Sequence, residues 1–218
     1  MNVLVDAVSA RARMVELQLR RRGIADERVL SAMGRVPREL FVPEDLQQYA
    51  YEDGALPIGH GQTISQPFIV GTICALLALE GHERVLDVGT GSGYQAAVLA
   101  ELAAEVVTIE RLPELADSAR SALAEAGYQG VEVRVGDGSL GVPDRAPFAA
   151  IAVAAATPTV PQALYAQLAE GGRLVAPRGS RWGQELVLVV RTADGPLERA
   201  SIPCRFVPLL GEEGFART

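Results

Sequence analysis

The chain has 218 residues, of which 49% are hydrophobic and 22% charged, and these values are typical of a globular domain with a substantial core. The formal net charge of -7 works against long-range attraction to nucleic acid or to an anionic membrane, so we expect neither as a partner. No apolar run approaches the ~20 residues that a membrane-spanning helix needs. The 2 cysteines are too few for a disulfide framework, and their spacing with the 2 histidines does not resemble a zinc site. We therefore expect a cytoplasmic protein without a metal ion.

The N-terminal part of the chain has the spacing of helices. Apolar residues with helical periodicity predict a helix over residues 6–22 that ends at Gly23. Asp26 is expected to cap a short second helix. The segment VPRELFVPED, residues 36–45, is interrupted by prolines and is predicted to be an irregular connection. A further helix is predicted to have Pro67 in its first turn.

Short apolar strands alternate with helical segments in the rest of the chain. The predicted strands are 84–88, 105–110, 131–135, 148–155 and 173–177, and the predicted helices are 94–103, 113–126 and 161–170. This alternation implies right-handed crossovers around a parallel sheet, and an Asp194-Gly195 turn predicts an antiparallel C-terminal hairpin. We therefore predict a doubly wound α/β fold with a mostly parallel seven-stranded, Rossmann-like sheet. A single domain is expected over 1–218, with a helical, active-site extension (1–80) and the Rossmann-like core (81–218).

A glycine-rich loop follows the first strand of this core. Gly89, Gly91 and Gly93 allow close approach of a ligand to the backbone, and we expect helix-start amides there to point outward, unpaired. Ligands bind at this edge of a parallel sheet. A dinucleotide fingerprint would need its third glycine where Tyr94 stands, and Asp87 would repel a pyrophosphate. The pattern therefore favours a cationic cofactor such as S-adenosylmethionine, whose sulfonium and ammonium groups suit Asp87.

Further carboxylates stand at the ends of the next two strands. Glu110 is placed to accept hydrogen bonds from two ribose hydroxyls. Asp137, followed by Gly138, is placed to accept a hydrogen bond from an adenine amino group. Each acid alone could equally be a cap or a surface carboxylate, but three acids at successive strand ends favour one cofactor site.

Several segments resemble the protein-L-isoaspartate O-methyltransferase family. They are LDVGTGSGYQAAVLA, GDGSLG, VPRELFVP, GQTISQPFIV and RFVPLLGEEGF. The similarity runs from about residue 10 to 215, and the TISQP and FVPLLGEEGF pieces are specific to the family. It implies S-adenosylmethionine as the cofactor and the side-chain carboxylate of L-isoaspartyl residues in damaged proteins and peptides as the methyl acceptor, with repair proceeding through a succinimide. Ala149 replaces a family aspartate, which leaves open a changed substrate or weakened activity, and Phe215 replaces a tryptophan.

The uncharged segment GQTISQP, residues 61–67, is predicted to be a polar loop over the cofactor pocket. Ser65 aligns with the active-site serine of the family, and this alignment implies that its hydroxyl holds the acceptor carboxylate. The alternative is that Ser65 only caps the helix at Pro67. Thr63, Ile64 and Ser65 are also predicted to contact the cofactor. The acceptor carboxylate has a reference pKa of about 4 and is already ionised at neutral pH, so the reaction needs no general base.

Three other interpretations are possible at this stage. The first is a methyltransferase of the same fold that acts on an aspartate carboxylate in a dedicated peptide substrate, for which Ala149 is the only hint. The second is a non-catalytic cofactor-binding module. The third, a nicotinamide oxidoreductase, is disfavoured by Tyr94 and Asp87. We expect a monomer that binds isoaspartyl proteins or peptides, and segment 205–210 is either a sheet edge for pairing with the peptide or an ordinary edge.

Overall fold

The computed structural model describes residues 3–216, which fold around a twisted central sheet. The strands are β1 (Leu56–Gly59), β2 (Gln62–Ile64), β3 (Arg84–Val88), β4 (Glu105–Glu110), β5 (Glu132–Val135), β6 (Phe148–Val153), β7 (Leu168–Gly179), β8 (Gln184–Thr192) and β9 (Gly195–Cys204). The helices are α1 (Val3–Met14), α2 (Glu27–Arg35), α3 (Pro67–Leu77), α4 (Tyr94–Ala100), α5 (Pro113–Glu125) and α6 (Gln162–Ala166).

Seven of these strands form the main sheet, in the order β5-β4-β3-β6-β7-β8-β9. Strands β3 to β7 pair in parallel, whereas β8 and β9 are antiparallel. The doubly wound α/β fold and its antiparallel C-terminal hairpin are therefore confirmed. The strand order reverses between β3 and β6, and this switch point is where open α/β sheets bind ligands.

Successive residues of the buried strands point to opposite faces of the sheet, so each face has its own hydrophobic cluster. Val85 packs with the N-terminal helices and with α3, α4 and α5, whereas Leu86 packs on the other face with α6. Both side chains are fully buried. The strands are thus buried on both faces, as expected for parallel strands covered by helices.

The N-terminal extension packs directly on the sheet. Helix α1 continues through a π-helical and a 3-10 turn to Gly23, whose φ of 97° ends it as predicted. Asp26 caps α2 by accepting hydrogen bonds from the amides of Arg28 and Val29. Hydrophobic residues of α1, α2 and α3 belong to the same cluster as those of β3, which supports our proposal of a single domain. Residues 1, 2, 217 and 218 of the predicted domain lie outside the described residues.

The helix predicted over 161–170 is wrong in its second half. Helix α6 ends at Ala166, and β7 begins at Leu168, which pairs with Phe148 of β6. The register then shifts, and residues 169–172 bulge from the ladder. Pairing with β6 has overridden the local helical preference of this segment.

The segment predicted as a polar loop contains instead an extended strand. Strand β2 pairs with β1 in a small antiparallel hairpin. Its turn has three consecutive residues with positive φ, Gly59 (89°), His60 (52°) and Gly61 (70°). The two glycines adopt this conformation without steric cost, so they permit the tight reversal. The connection predicted over 36–45 also includes 3-10 turns, at Arg38–Phe41 and from Glu44.

Candidate active site

A cleft of about 810 Å³, part of it open to solvent, lies at the carboxyl ends of β3, β4 and β6. Its wall is formed by the glycine loop, β2, the residues after β4 and β6, and segment 207–210. Seven of the ten predicted site residues line it: Thr63, Ile64, Ser65, Gly89, Gly91, Glu110 and Gly138. The other three, Asp87, Gly93 and Asp137, are not among the lining residues.

The glycine loop is closed by hydrogen bonds within the protein. The amide of Gly89 donates to the carbonyl of Ile109 (2.9 Å), and that of Gly93 donates to the carbonyl of Thr90 (2.8 Å). The amide of Gly91 donates to Oε2 of Glu110 (2.9 Å). The expectation that these amides point outward unpaired is therefore wrong at the three glycines. At Gly91 a phosphate would meet a carboxylate instead of a free N–H donor.

Glu110 joins the end of β4 to this loop. Besides accepting from Gly91, its Oε1 accepts a hydrogen bond from the amide of Leu112 (3.0 Å). The side chain is only 8% exposed, yet it lines the cleft. Each carboxylate oxygen has a second lone pair, so Glu110 can still accept hydrogen bonds from ligand hydroxyls.

Asp87 lies beneath the cleft and is fully buried. Its carboxylate accepts hydrogen bonds from Gln95 Nε2 (2.8 Å) and from Thr108 Oγ1 (2.8 Å). Thr108 in turn shares a 2.7 Å hydrogen bond with Thr90 of the glycine loop. Burial raises the pKa of Asp87 to about 6, and the nearby charge of Glu110 adds to this rise. Asp87 therefore orients the side chains that support the loop, and it places negative charge below the cleft.

Asp137 holds the C-terminal segment against the sheet. Its Oδ1 accepts from the amide and the hydroxyl of Ser139 (2.9 and 2.7 Å), and its Oδ2 accepts from the amide of Glu212 (2.8 Å). Gly138 lines the cleft at a point where a Cβ atom would lie 2.8 Å from Val88. The adenine contact predicted for Asp137 remains a prediction, and its carboxylate also has a structural role.

Ser65 stands immediately after β2, with its side chain partly buried. The N-cap residue of α3 is Gln66, which makes no side-chain capping bond. Within residues 3–216, the Ser65 hydroxyl has no hydrogen-bond partner, so it does not cap the helix at Pro67. Its backbone carbonyl accepts a 2.8 Å hydrogen bond from Nη2 of Arg38. The hydroxyl is therefore available to a ligand.

A second cavity, of about 780 Å³ including open space, adjoins the first. The two cavities share Thr63, Ser65, Ala154 and Val207. Asp53, Gln66, Cys204, Arg205 and Phe206 are among the other residues that line the second. Ser65 thus lies on the partition between a cleft that reaches the glycine loop and a groove that opens beside the C-terminal segment.

The segment 205–210 is not a free sheet edge. The carbonyl of Val207 accepts from the amide of Ala156 (2.8 Å), and the amide of Leu209 donates to the carbonyl of Ala156 (2.7 Å). The backbone that was one candidate for pairing with a peptide is therefore already paired within the protein at these positions. Segment 205–210 contributes side chains to both cavities instead.

Several residues of the site were missed by the sequence analysis. Thr108 is a polar residue within a buried strand, and the register of the sheet places it opposite Asp87. Its polarity was a usable signal, but its partner follows only from the pairing of the strands. Arg38 and segment 207–210 lie in segments that resemble the family, but their place beside the cofactor cleft follows only from the fold.

Ala149, the residue that departs from the family pattern, lies far from the cleft. It is the second residue of β6, whereas the cleft is lined by Ala154 and Ala155 beyond the opposite end of that strand. Five residues of extended chain separate Ala149 from Ala154, which is roughly 16 Å. The substitution therefore changes the start of β6 and leaves the cleft intact.

We predict that replacing Asp87 will remove a pH dependence of stability. Because the folded-state pKa is raised to about 6, the carboxyl group holds its proton more tightly in the folded protein. Its contribution is fully present below about pH 4 and is lost as the pH rises through about 6. The stability of the wild type relative to Asp87→Asn should therefore fall by roughly 2 to 3 kcal/mol between about pH 4 and about pH 7. Urea unfolding of both proteins across this range measures it, and a difference independent of pH would contradict the assignment.

Comparison with known proteins gives the family of the chain. The family model described as protein-L-isoaspartate(D-aspartate) O-methyltransferase matches residues 10–214. A protein-L-isoaspartate O-methyltransferase of Methanoculleus marisnigri is 57% identical over 208 residues, which cover 94% of this chain and 93% of that protein. A protein-L-isoaspartate O-methyltransferase 2 of Marinobacter nauticus is 58% identical, with 96% of this chain and 97% of that protein covered.

Solved structures agree with this result. A structure named protein-L-isoaspartate O-methyltransferase superposes with a TM-score of 0.82 at 28% identity, covering 93% of this chain and 66% of that one. A Plasmodium falciparum protein described as a beta-aspartate methyltransferase, in complex with S-adenosyl-L-homocysteine, has the same fold, with a TM-score of 0.80 at 24% identity and coverage of 92% and 98%. From its sequence and its fold, the chain belongs to the protein-L-isoaspartate(D-aspartate) O-methyltransferase family.

Proposed function

We propose that the protein transfers the methyl group of S-adenosylmethionine to the side-chain carboxylate of L-isoaspartyl residues in proteins and peptides. Membership of the family supports this activity. The observation that supports it most directly is the position of the Ser65 hydroxyl, which has no partner within residues 3–216 and lies where the two cavities meet. The neighbouring backbone nitrogen then attacks the ester carbonyl, the C–OCH3 bond breaks, and methanol leaves with the proton of that nitrogen. The succinimide so formed begins repair.

The cleft at the glycine loop suits the cofactor. Gly91 lines it with a φ of 53°, so its backbone can lie close to a ligand. Glu110 can accept hydrogen bonds from ribose hydroxyls, and the buried Asp87 adds negative charge that favours a cation. The occupied glycine amides disfavour a phosphate. When bound, the cofactor supplies an electrophilic methyl group on a sulfonium.

The second cavity suits the acceptor. Ser65 can donate a hydrogen bond to one oxygen of the acceptor carboxylate and so direct the other oxygen toward the cleft. A neutral hydroxyl does this without the positive charge that would weaken the nucleophile. Among the described residues that line the two cavities there is no histidine, and none is required, because the acceptor is ionised at neutral pH. The protein then contributes alignment of the reactants and exclusion of water.

We also propose a cytoplasmic monomer. Cys74 and Cys204 form no disulfide, which is consistent with a reducing compartment. None of the helices within residues 3–216 is long and apolar enough to cross a membrane.

Among the same residues, no cluster of three His, Cys, Asp or Glu side chains is placed to hold a metal ion.

The activity is tested with two peptides that differ only in one linkage. We expect the protein to methylate a short peptide with one L-isoaspartyl residue and to leave its aspartyl twin unmodified, because only the former has the carboxylate and backbone geometry that the groove fits. The measurement is the amount of S-adenosyl-L-homocysteine formed with each peptide. Equal rates would favour an enzyme for aspartate carboxylates, and no product with either peptide would favour a non-catalytic binding module.

Replacement of Ser65 tests the assignment of its hydroxyl. For Ser65→Ala we expect kcat to fall on the order of tenfold to a hundredfold, because the acceptor loses the group that aligns it. The Kd of S-adenosyl-L-homocysteine, measured by calorimetry, should stay close to that of the wild type. Ser121→Ala, at an exposed site on α5, is the matched control and should change neither value. A parallel loss of cofactor affinity would place the Ser65 hydroxyl in the cofactor site instead.

A further inference from the structure

Arg38 is a charged residue that lies entirely inside the protein. Its exposed fraction is 0%, and it belongs to the 3-10 turn Arg38–Phe41 of the N-terminal extension. Nε donates to the carbonyl of Ala50 (2.7 Å), and Nη2 donates to the carbonyl of Ser65 (2.8 Å). The guanidinium carbon lies 4.7 Å from the centre of the Tyr94 ring. Nη1 has no hydrogen-bond partner among the described residues.

Burying the Arg38 guanidinium costs desolvation free energy, which a side chain needed only for packing would not require. No ion pair joins Arg38 to a carboxylate within residues 3–216, so its charge is buried without an opposite charge. Burial lowers the pKa of the guanidinium, although arginine remains protonated in proteins. An apolar side chain of similar volume would avoid the desolvation penalty. The contacts that only a planar cation with several donors can make therefore need an explanation.

These contacts connect the N-terminal extension with two segments that line the cleft. Ala50 follows the 3-10 turn Glu44–Tyr49 of the N-terminal extension. Ser65 lies between β2 and α3, and Tyr94 begins α4 directly after the glycine loop. Tyr94 and Ser65 both line the cleft. Phe41, from the same turn as Arg38, packs edge-on against the Tyr94 ring at 5.8 Å. The buried side chain of Arg38 thus contacts both the backbone of Ser65 and the ring of Tyr94, which directly follows the glycine loop.

We propose that Arg38 is a positioning residue for methyl transfer. It fixes the position of the Ser65 backbone relative to the cofactor loop. The helical hydrogen bonds of α3 begin at the carbonyl of Gln66, which accepts from the amides of Ile69 and Val70. The carbonyl of Ser65 lies one residue before this point. Arg38 supplies the donor for the Ser65 carbonyl and so restricts the backbone rotation that would swing the hydroxyl away from the partition between the cavities. This inference rests on the proposed role of Ser65 toward the acceptor.

The test compares two replacements of Arg38 in the full-length protein. For Arg38→Met we expect kcat to fall on the order of tenfold to a hundredfold, because a displacement of about 1 Å at a reacting group has an effect of that size. The KM for the isoaspartyl peptide and the Kd of S-adenosyl-L-homocysteine should change by less than about threefold. Arg38→Lys keeps donors for the two carbonyls and should retain more kcat than Arg38→Met. Calorimetric stoichiometry with S-adenosyl-L-homocysteine gives the folded fraction to which each rate is normalised.

A purely structural role predicts the opposite pattern. Methionine would then be tolerated at least as well as lysine, because it buries no charge, and the normalised kcat of both variants would equal that of the wild type. Either result would overturn the proposal. Arg173→Met is the matched control, because Nη1 of Arg173 donates to the carbonyls of Leu77 (3.1 Å) and Ala78 (3.2 Å) at the other end of α3. It should lower stability and leave the normalised kcat unchanged.

Two further results keep the tests of Arg38 and of the activity separate. If the wild-type protein does not methylate the isoaspartyl peptide, the proposed activity fails, whereas wild-type activity with unchanged kcat in the Arg38 variants contradicts only the role of Arg38. A crystal structure of the wild type with S-adenosyl-L-homocysteine provides a check that needs no variant. Retention of the hydrogen bond from Nη2 to the Ser65 carbonyl supports the proposal, and its loss in the complex contradicts it.

Discussion

The hydrogen bond from the Gly91 amide to the Glu110 carboxylate determines which ligands the cleft can take. Glycine loops at the start of a helix commonly bind phosphates through free amides. Here the amides of Gly89, Gly91 and Gly93 already donate within the protein, and a carboxylate occupies the place of an anionic ligand. Asp87, buried below and tied to the loop through Thr108, adds to the negative potential. The same scaffold that binds dinucleotides in other proteins is thereby adapted to a cation that bears ribose hydroxyls.

The chemistry follows from the charges of the two reactants. A cationic methyl donor and an ionised acceptor need no proton transfer, so the barrier is lowered by alignment, which can contribute up to ~7 to 11 kcal/mol, and by exclusion of water. Alignment requires that the partition between the two cavities be rigid. The N-terminal extension contributes to that rigidity, because it packs in one hydrophobic cluster with the sheet and brings Arg38 to the carbonyl of Ser65. The extension therefore lines both cavities and also contributes to the hydrophobic core.

Much of this arrangement could be predicted from local patterns in the sequence. Alternating strands and helices gave the parallel sheet, and the ends of β3 and β4 placed Asp87 and Glu110 at one edge. What could not be predicted depends on strand register and on contacts between distant segments. The bulge in β7 arises from pairing with β6, and one partner of Asp137, the amide of Glu212, comes from the C-terminal segment. The expectation of outward amides was wrong at Gly91 because Glu110, which we assigned only to the ligand, also accepts its hydrogen bond. At Gly89 and Gly93 it was wrong because backbone carbonyls accept from the amides.

In the proposed mechanism, the protein aligns an acceptor that is already ionised and transfers no proton. The most direct test is the pH dependence of kcat for the wild-type protein with an isoaspartyl peptide, followed by formation of S-adenosyl-L-homocysteine so that ester hydrolysis does not interfere. We expect a kcat that is constant between about pH 7 and about pH 9, because the acceptor carboxylate is fully ionised across this range. A kcat that rises tenfold per pH unit toward a plateau within this range would reveal a general base and contradict the account.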